Sequence, residues 1–220
     1  MRASGPASVP RPAVSEGRSP TGVLLAAGRG RRFGADKRWQ PMADGTPMAV
    51  AAADALAAAV DEVVVVLRPE DRALAELMRG RGCRPVFARE AVRGMGHSLA
   101  AAVAATPNAD GWLVALADMP WIRPDSHRAV AEALRRGASQ ARAWHCGRPG
   151  HPVGFAARWG KSLGALGGDR GARDVLDVGA LVRCEVDDPG VLRDVDRPAD
   201  VDPGTSSVAR GSEGGRSAAS

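Results

Sequence analysis

With 220 residues, 45% of them hydrophobic and 25% charged, the chain has the composition of a globular protein large enough to bury one core. Its three cysteines, Cys83, Cys146 and Cys184, stand far apart, which excludes a zinc ribbon and a disulfide framework and implies a reducing compartment. A net charge of +5 raises nucleic acid as a partner, but the chain has no tyrosine and only 4% aromatic residues on which bases could stack, so a small anion is favoured over a polymer.

Met1 to Pro20 carries prolines at 6, 10, 12 and 20 among serines and arginines and lacks the apolar segment of a secretory signal. It is expected to be a disordered lead. Residues 203–220 are rich in glycine and serine without apolar periodicity and are expected to form a disordered tail, leaving one domain over 21–202. No stretch is long and apolar enough to span a membrane, and a cytoplasmic protein is expected.

Val23 to Ala27 is a short apolar run of strand length that empties into Gly28, Arg29, Gly30, Arg31, Arg32, Phe33 and Gly34, with Lys37 just beyond. Glycines let a backbone turn tightly and aim several N–H groups at one anion, while arginine and lysine add full charge. The loop suits a phosphate chain. It is not a P-loop, because Lys37 lies three residues after Gly34 and is followed by Arg38, and Gly160, Lys161, Ser162 fails too, with Phe155 where the first glycine belongs. Gly28, Gly30 and Gly34 are spaced one residue too widely for the strict dinucleotide fingerprint, so an NAD(P) oxidoreductase stays open as an alternative. Lys37 and Lys161 are the only lysines among 30 basic residues, and a lysine in this loop marks a place for a compact point charge.

Further along, Thr46 to Ala59 reads as an alanine-rich helix with Thr46 as N-cap and Pro47 as its first residue. Asp61 to Leu67 reads as a strand, Glu70 to Arg79 as a helix, Cys83 to Ala88 as a strand and Ser98 to Ala105 as a helix. Trp112 to Ala117 is a fourth apolar strand, stopped by Asp118, Met119 and Pro120. This exchange of strands and helices predicts a three-layer, Rossmann-like α/β domain with a mostly parallel central sheet, whose ligands collect beyond the carboxyl ends of the strands. The first strand delivers Gly28 there and the fourth delivers Asp118, which is either a magnesium ligand or an ordinary turn aspartate. Past Gly137, residues 141–146, 151–157 and 181–186 read as strands separated by glycine turns and are expected to form an acceptor-binding half.

Leu25, Ala26, Ala27, Gly28, Gly30, Arg32, Phe33, Gly34 and Lys37 fit the pattern L-A-A-G-x-[SG]-x-R-[MF]-G-x-x-K, and the stretch resembles the signature of the MobA-like group of sugar-phosphate and molybdenum-cofactor nucleotidyltransferases. The resemblance implies a nucleotidyltransferase fold in which this loop wraps the triphosphate of an NTP while Arg32 and Lys37 neutralise it. Ala117, Asp118, Met119, Pro120 resembles the G-D-M-P of molybdenum-cofactor cytidylyltransferases, with Ala117 in place of the glycine, and implies that Asp118 holds the metal. Gly94, Met95, Gly96, His97, Ser98, Leu99 resembles G-M-[GS]-x-S-L, which implies that Gly94, Gly96 and Ser98 close over base and ribose; His97 falls at the variable position. Gly147 to Pro152 resembles G-R-x-G-H-P and Gly168 to Arg173 resembles G-D-x-G-A-R, implying that Arg148, His151, Asp169 and Arg173 meet a phosphorylated pterin acceptor. Asp194 to Asp200 resembles D-[IV]-D-T-P-x-D, which implies a second metal carboxylate, Asp196 ahead of Asp194, with Asp200 as a cap.

On this resemblance the expected reaction moves CMP from CTP to a molybdopterin-type phosphate acceptor and releases pyrophosphate, with Mg²⁺ as cofactor and Lys37, Arg32 and Asp118 as catalytic residues. By the same resemblance Ala26 and Ala27 favour CTP over GTP, since the guanylyl branch usually reads L-A-G-G. A molybdoenzyme is the candidate recipient of the product, and neither nucleic acid nor a membrane is an expected partner. A different phosphorylated acceptor such as a sugar phosphate, the oxidoreductase, and a non-catalytic cofactor chaperone are the alternatives.

Overall fold

Runs such as Val63 to Leu67, with β-branched or leucine side chains at every position, form strands only where both faces of a sheet are covered. The computed structural model describes residues 19–28 and 33–201 and puts seven strands in one sheet. They are β1 (Thr21–Leu25), β2 (Val63–Leu67), β3 (Arg84–Phe87), β4 (Gly111–Leu116), β5 (Gln140–His145), β6 (Arg148–Ala156) and β7 (Leu181–Glu185). Their order is β3-β2-β1-β4-β6-β5-β7, and only β6 runs against its neighbours.

Alternation along β1 and β2 divides the core. Leu24, Val63 and Val65 face one side with helices α1 (Met48–Ala57), α2 (Arg72–Gly80) and α4 (Pro124–Arg135), whereas Val23, Leu25, Val64 and Val66 face α3 (Met95–Ala105) and the short α5 (Gly160–Gly164). The result is the expected three-layer α/β fold. Val64, Val65 and Leu24 are fully buried, and each such side chain contributes about 1.5–3 kcal/mol over its exposed state.

The element boundaries moved where caps decide them. α1 starts at Met48, with Pro47 and not Thr46 in the capping position; the Thr46 amide, one residue earlier, donates to the Asp44 carboxylate at 2.9 Å. α3 starts earlier than read, at Met95, and β6 starts at Arg148 instead of His151. α4 was not anticipated, although Pro124 at its first turn and Asp125 beside it are ordinary start signals. Asp188 fixes its entry, accepting from the Arg123 amide at 2.8 Å and the Ser126 hydroxyl at 2.7 Å.

Of the expected lead, only Ser19 and Pro20 are described, and the expected tail lies outside the described residues, as do Gly30 and Arg32 of the glycine loop. Among the described residues no helix is long and apolar enough to cross a membrane.

Candidate active site

The strand order reverses direction between β1 and β4, and this opens a crevice at the carboxyl ends of the two strands. Lys37 reaches it from a 3-10 turn, Lys37–Trp39. That turn is pinned by its neighbour. Arg38 is only 3% exposed; it donates from Nη1 to the Ala26 carbonyl at 2.7 Å and is clasped by the carboxylates of Asp36 and Asp71. Burial by itself disfavours the guanidinium charge, but the hydrogen bonds and charges of Asp36 and Asp71 outweigh it and raise its pKa. A buried cation between two carboxylates anchors the loop to the end of β1 and frees Lys37 to face the other way.

The Lys37 ammonium donates to Asp118 Oδ2 at 2.8 Å and to the Val195 carbonyl at 2.6 Å, and stands 3.9 Å from Asp196 Oδ1. The Val195 amide donates to the Asp118 carbonyl at 2.8 Å, so the segment carrying Asp194 and Asp196 is strapped to the end of β4. Asp200 caps the last turn as expected, accepting from the amides of Asp196 at 2.9 Å and Arg197 at 2.7 Å. Two carboxylates and a carbonyl oxygen therefore converge on one cation, and Mg²⁺ takes oxygen ligands of this kind. Among the described residues no three His, Cys, Asp or Glu side chains form a group that could hold a metal ion.

Two cavities open beside this cluster. The larger, of about 540 Å³, is lined by Leu25, Ala27, Gly28, Gly94, Ser98 and Asp118 together with Asp169 and the Ala91–Arg93 turn. Five of the residues read as nucleotide-binding thus share one wall system. Ala26 opens instead onto a small recess with Lys37 and Arg38, Gly34 lines neither cavity, and Gly96 is buried beneath the floor against Gly167 and Arg170. Asp169, read with the acceptor group, stands with the nucleotide group. The smaller cavity, of about 220 Å³, is lined by Arg142, His151 and Arg173 and by apolar side chains including Val114, Leu116 and Val153. Arg148 is exposed on the β5–β6 hairpin at the same edge of the sheet and lines neither.

Several participants have no motif to announce them. The Val195 carbonyl is main chain, and the Arg38–Asp71 pair joins residues far apart in sequence. Arg142 is an arginine between Ala141 and Ala143, both fully buried, and that interruption of an apolar strand is the signal that would have found it.

His151 and His127 carry the strongest electrostatic displacement. Burial pushes both imidazoles down to about 4; Arg142 adds to the effect on His151, while Asp188 opposes it on His127. Each therefore folds neutral from an unfolded value near 6.5. Below 6.5 the unfolded chain takes up protons that the folded one refuses, so stability falls as pH drops and levels off only below about 4. Without nucleotide, urea denaturation between pH 7 and 5 is expected to lose up to about 1.4 kcal/mol per pH unit for each histidine. His127→Leu should flatten that slope; a slope left unchanged would mean that His127 takes up its proton alike in the folded and unfolded chain.

A mostly parallel sheet with a glycine-rich first loop, an acidic fourth strand end and a shared crevice defines a nucleotide-binding α/β enzyme. A family model described as the MobA-like NTP transferase domain matches residues 22–184, and the chain belongs to that family of nucleotidyltransferases. It is 32% identical over 193 residues to the purine catabolism protein PucB of Bacillus subtilis (strain 168), a match covering 82% of this chain and 93% of that one. Among solved structures it is similar to Rv0371c of Mycobacterium tuberculosis H37Rv in complex with manganese, with a TM-score of 0.69 and 27% identity over 83% of this chain and 95% of that one. A shorter match, 44% identical over 61 residues, is to 2-C-methyl-D-erythritol 4-phosphate cytidylyltransferase of Cereibacter sphaeroides (strain ATCC 17029 / ATH 2.4.9), covering 26% of this chain and 27% of that enzyme.

Proposed function

We propose that the protein transfers CMP from CTP to a phosphorylated acceptor of the molybdopterin type and releases pyrophosphate. The observation that carries the reading is the Lys37 ammonium held between the Val195–Asp196 segment and Asp118, the last of which lines the larger cavity. An acceptor phosphate oxygen attacks the α-phosphorus of CTP; the new P–O bond forms as the bond to the bridging oxygen breaks, and pyrophosphate leaves with both electrons of that bond. No strong general base is needed, since the attacking phosphate is already an anion.

What the chain contributes is position and charge. Gly28 and Gly30 let the loop backbone approach the triphosphate, and Arg32 and Lys37 neutralise it. Leu25, Ala26, Ala27, Gly34, Gly94, Gly96 and Ser98 shape or support the nucleotide side. His151 and Arg173, with Arg148 and Asp169 at the margins, serve the acceptor. Asp118 and Asp196 would hold Mg²⁺, which when bound supplies further charge neutralisation on the phosphates. The solved complex of Rv0371c with manganese supports a divalent ion as cofactor, and the cytidylyltransferase match together with Ala27 on the cavity wall supports CTP. A molybdoenzyme would receive the product.

Pyrophosphate release should be measured with CTP, GTP, ATP and UTP, each with a molybdopterin-type and a sugar-phosphate acceptor, in Mg²⁺, in Mn²⁺ and with chelator. CTP with the pterin acceptor is expected to exceed the other nucleotides by tenfold or more, a margin that hydrogen-bond readout of a base readily supplies, and chelation should abolish it. Preference for GTP, or for the sugar phosphate, would replace this substrate assignment.

A further inference from the structure

Resting on the acceptor reading above, we propose that the smaller cavity is a built oxyanion site in which Arg142, a residue outside every motif, joins Arg173 to clamp the phosphomonoester of the acceptor beside the His151 imidazole. The geometry comes first. Arg142 and Arg173 line the same cavity of about 220 Å³ with His151, and neither arginine has a carboxylate partner among the described residues. This sets them apart from Arg38, which is neutralised twice over. Arg142 gives its Nε to the Gly150 carbonyl at 2.8 Å, which fixes the guanidinium plane; its two Nη groups make no hydrogen bond among the described residues. The His151 Nδ1 is a buried atom that likewise has no partner.

A buried ring nitrogen without a partner carries a desolvation cost, and the half-buried Arg142 beside it keeps two Nη groups available to a ligand. Two guanidiniums in one cavity also repel, and burial together with the nearby Arg173 already disfavours the Arg142 charge. A tetrahedral dianion removes both penalties, because a guanidinium fork matches phosphate oxygens in pairs. The remaining wall, Val114, Leu116, Val153 and Leu176, offers apolar surface and no further charge. That combination fits a phosphate on an apolar or flat organic body and not a polyhydroxylated one. Leu25, Met95 and Leu116 border both cavities, so the clamp adjoins the nucleotide side.

The probe is inorganic phosphate, read on the imidazole resonances of the protein's four histidines, without nucleotide or metal. Phosphate is expected to shift the His151 signal saturably and to raise its pKa, since the dianion favours the imidazolium. Arg142→Met should weaken this response at least tenfold, and Arg142→Lys should fall between, keeping the charge but losing the fork. Arg173→Met, at an exposed position that does not threaten folding, should weaken it as well. Lys37→Ala should leave the phosphate affinity read at His151 intact, because Lys37 lines the recess beside Ala26 and not this cavity. A His151 signal indifferent to phosphate would overturn the proposal, as would wild-type phosphate affinity in Arg142→Met and Arg173→Met, or loss of the response in Lys37→Ala alone. No turnover is involved, so an enzyme inactive with every NTP can still pass this test and an active one can fail it.

Discussion

Asp118→Asn is expected to lower pyrophosphate release by about a hundredfold or more, the scale on which losing one charge-stabilising group from a transition state is felt. The substitution keeps the shape and removes the charge on which the Lys37 ammonium, 2.8 Å away, and any divalent cation both depend. Stability without ligand should also fall, by about 1–2 kcal/mol, between the values for an exposed and a buried ion pair, because the Lys37 and Asp118 side chains are 13% and 30% exposed. Asp196→Asn should cost as much activity with a smaller loss of stability, since its side chain is 50% exposed and its oxygen lies 3.9 Å from the ammonium. Because the two carboxylates would act through one ion, the double variant should be little worse than either single one. A metal titration of pyrophosphate release, beside urea denaturation of the same variants, checks both halves. Normal turnover in Asp118→Asn would remove the catalytic assignment and leave Lys37–Asp118 as a structural pair.

Lys37 and Asp118 could be read before the structure because each sits where local sequence already signals an end: one after a glycine loop, the other after an apolar strand. Their meeting, across 81 positions, follows from β1 and β4 being neighbours, and the alternation of strands and helices was enough to put both strand ends on one edge. The first four strands were legible for a related reason. Val63 to Val66 are buried on both faces, the usual mark of a strand inside a parallel sheet covered by helices, so composition and topology carry much the same information.

What was hidden depends on partners distant in sequence. Nothing within β5 or β7 indicates that they pair in parallel at the sheet's far edge, since that register is set by the whole chain. α4 was missed because its buried face includes Ser126 and His127, polar residues that interrupt the apolar stripe until Asp188, 62 residues after Ser126, arrives to satisfy the serine. Arg38 shows the same effect at the site. Beside Lys37 it reads as one more solvated cation, and it is the fold that supplies Asp71 and turns it into an anchor.

Gly94→Ala is expected to destabilise the fold by about 4 kcal/mol and to disturb both cavities at once, placing it with the few single changes whose size is diagnostic. Gly94 has φ +133 and ψ 167, a region open in practice to glycine alone and worth on the order of 1–3 kcal/mol to any other residue. Strain is only part of it. An added Cβ would lie 2.1 Å from the Gly168 carbonyl oxygen and 2.6 Å from the Asp169 nitrogen, main-chain atoms that cannot swing aside. Gly96 meets the same turn two residues later, where its amide donates to the Gly168 carbonyl at 3.0 Å and a Cβ would stand 2.4 Å from the Arg170 carbonyl oxygen. The start of α3 is therefore the seat of the 167–171 turn, which carries Asp169 into the larger cavity and leads directly to Arg173 in the smaller. Gly34→Ala is the comparison that separates strain from collision: φ is +78, nothing among the described residues lies within 4 Å of its added Cβ, and a loss of only about 1–2 kcal/mol is expected. Urea midpoints of the two variants, with phosphate binding read at His151, test the argument. If Gly94→Ala were no less stable than Gly34→Ala, the turn would be free to retreat, and its backbone could not be what holds Asp169 and Arg173 in register.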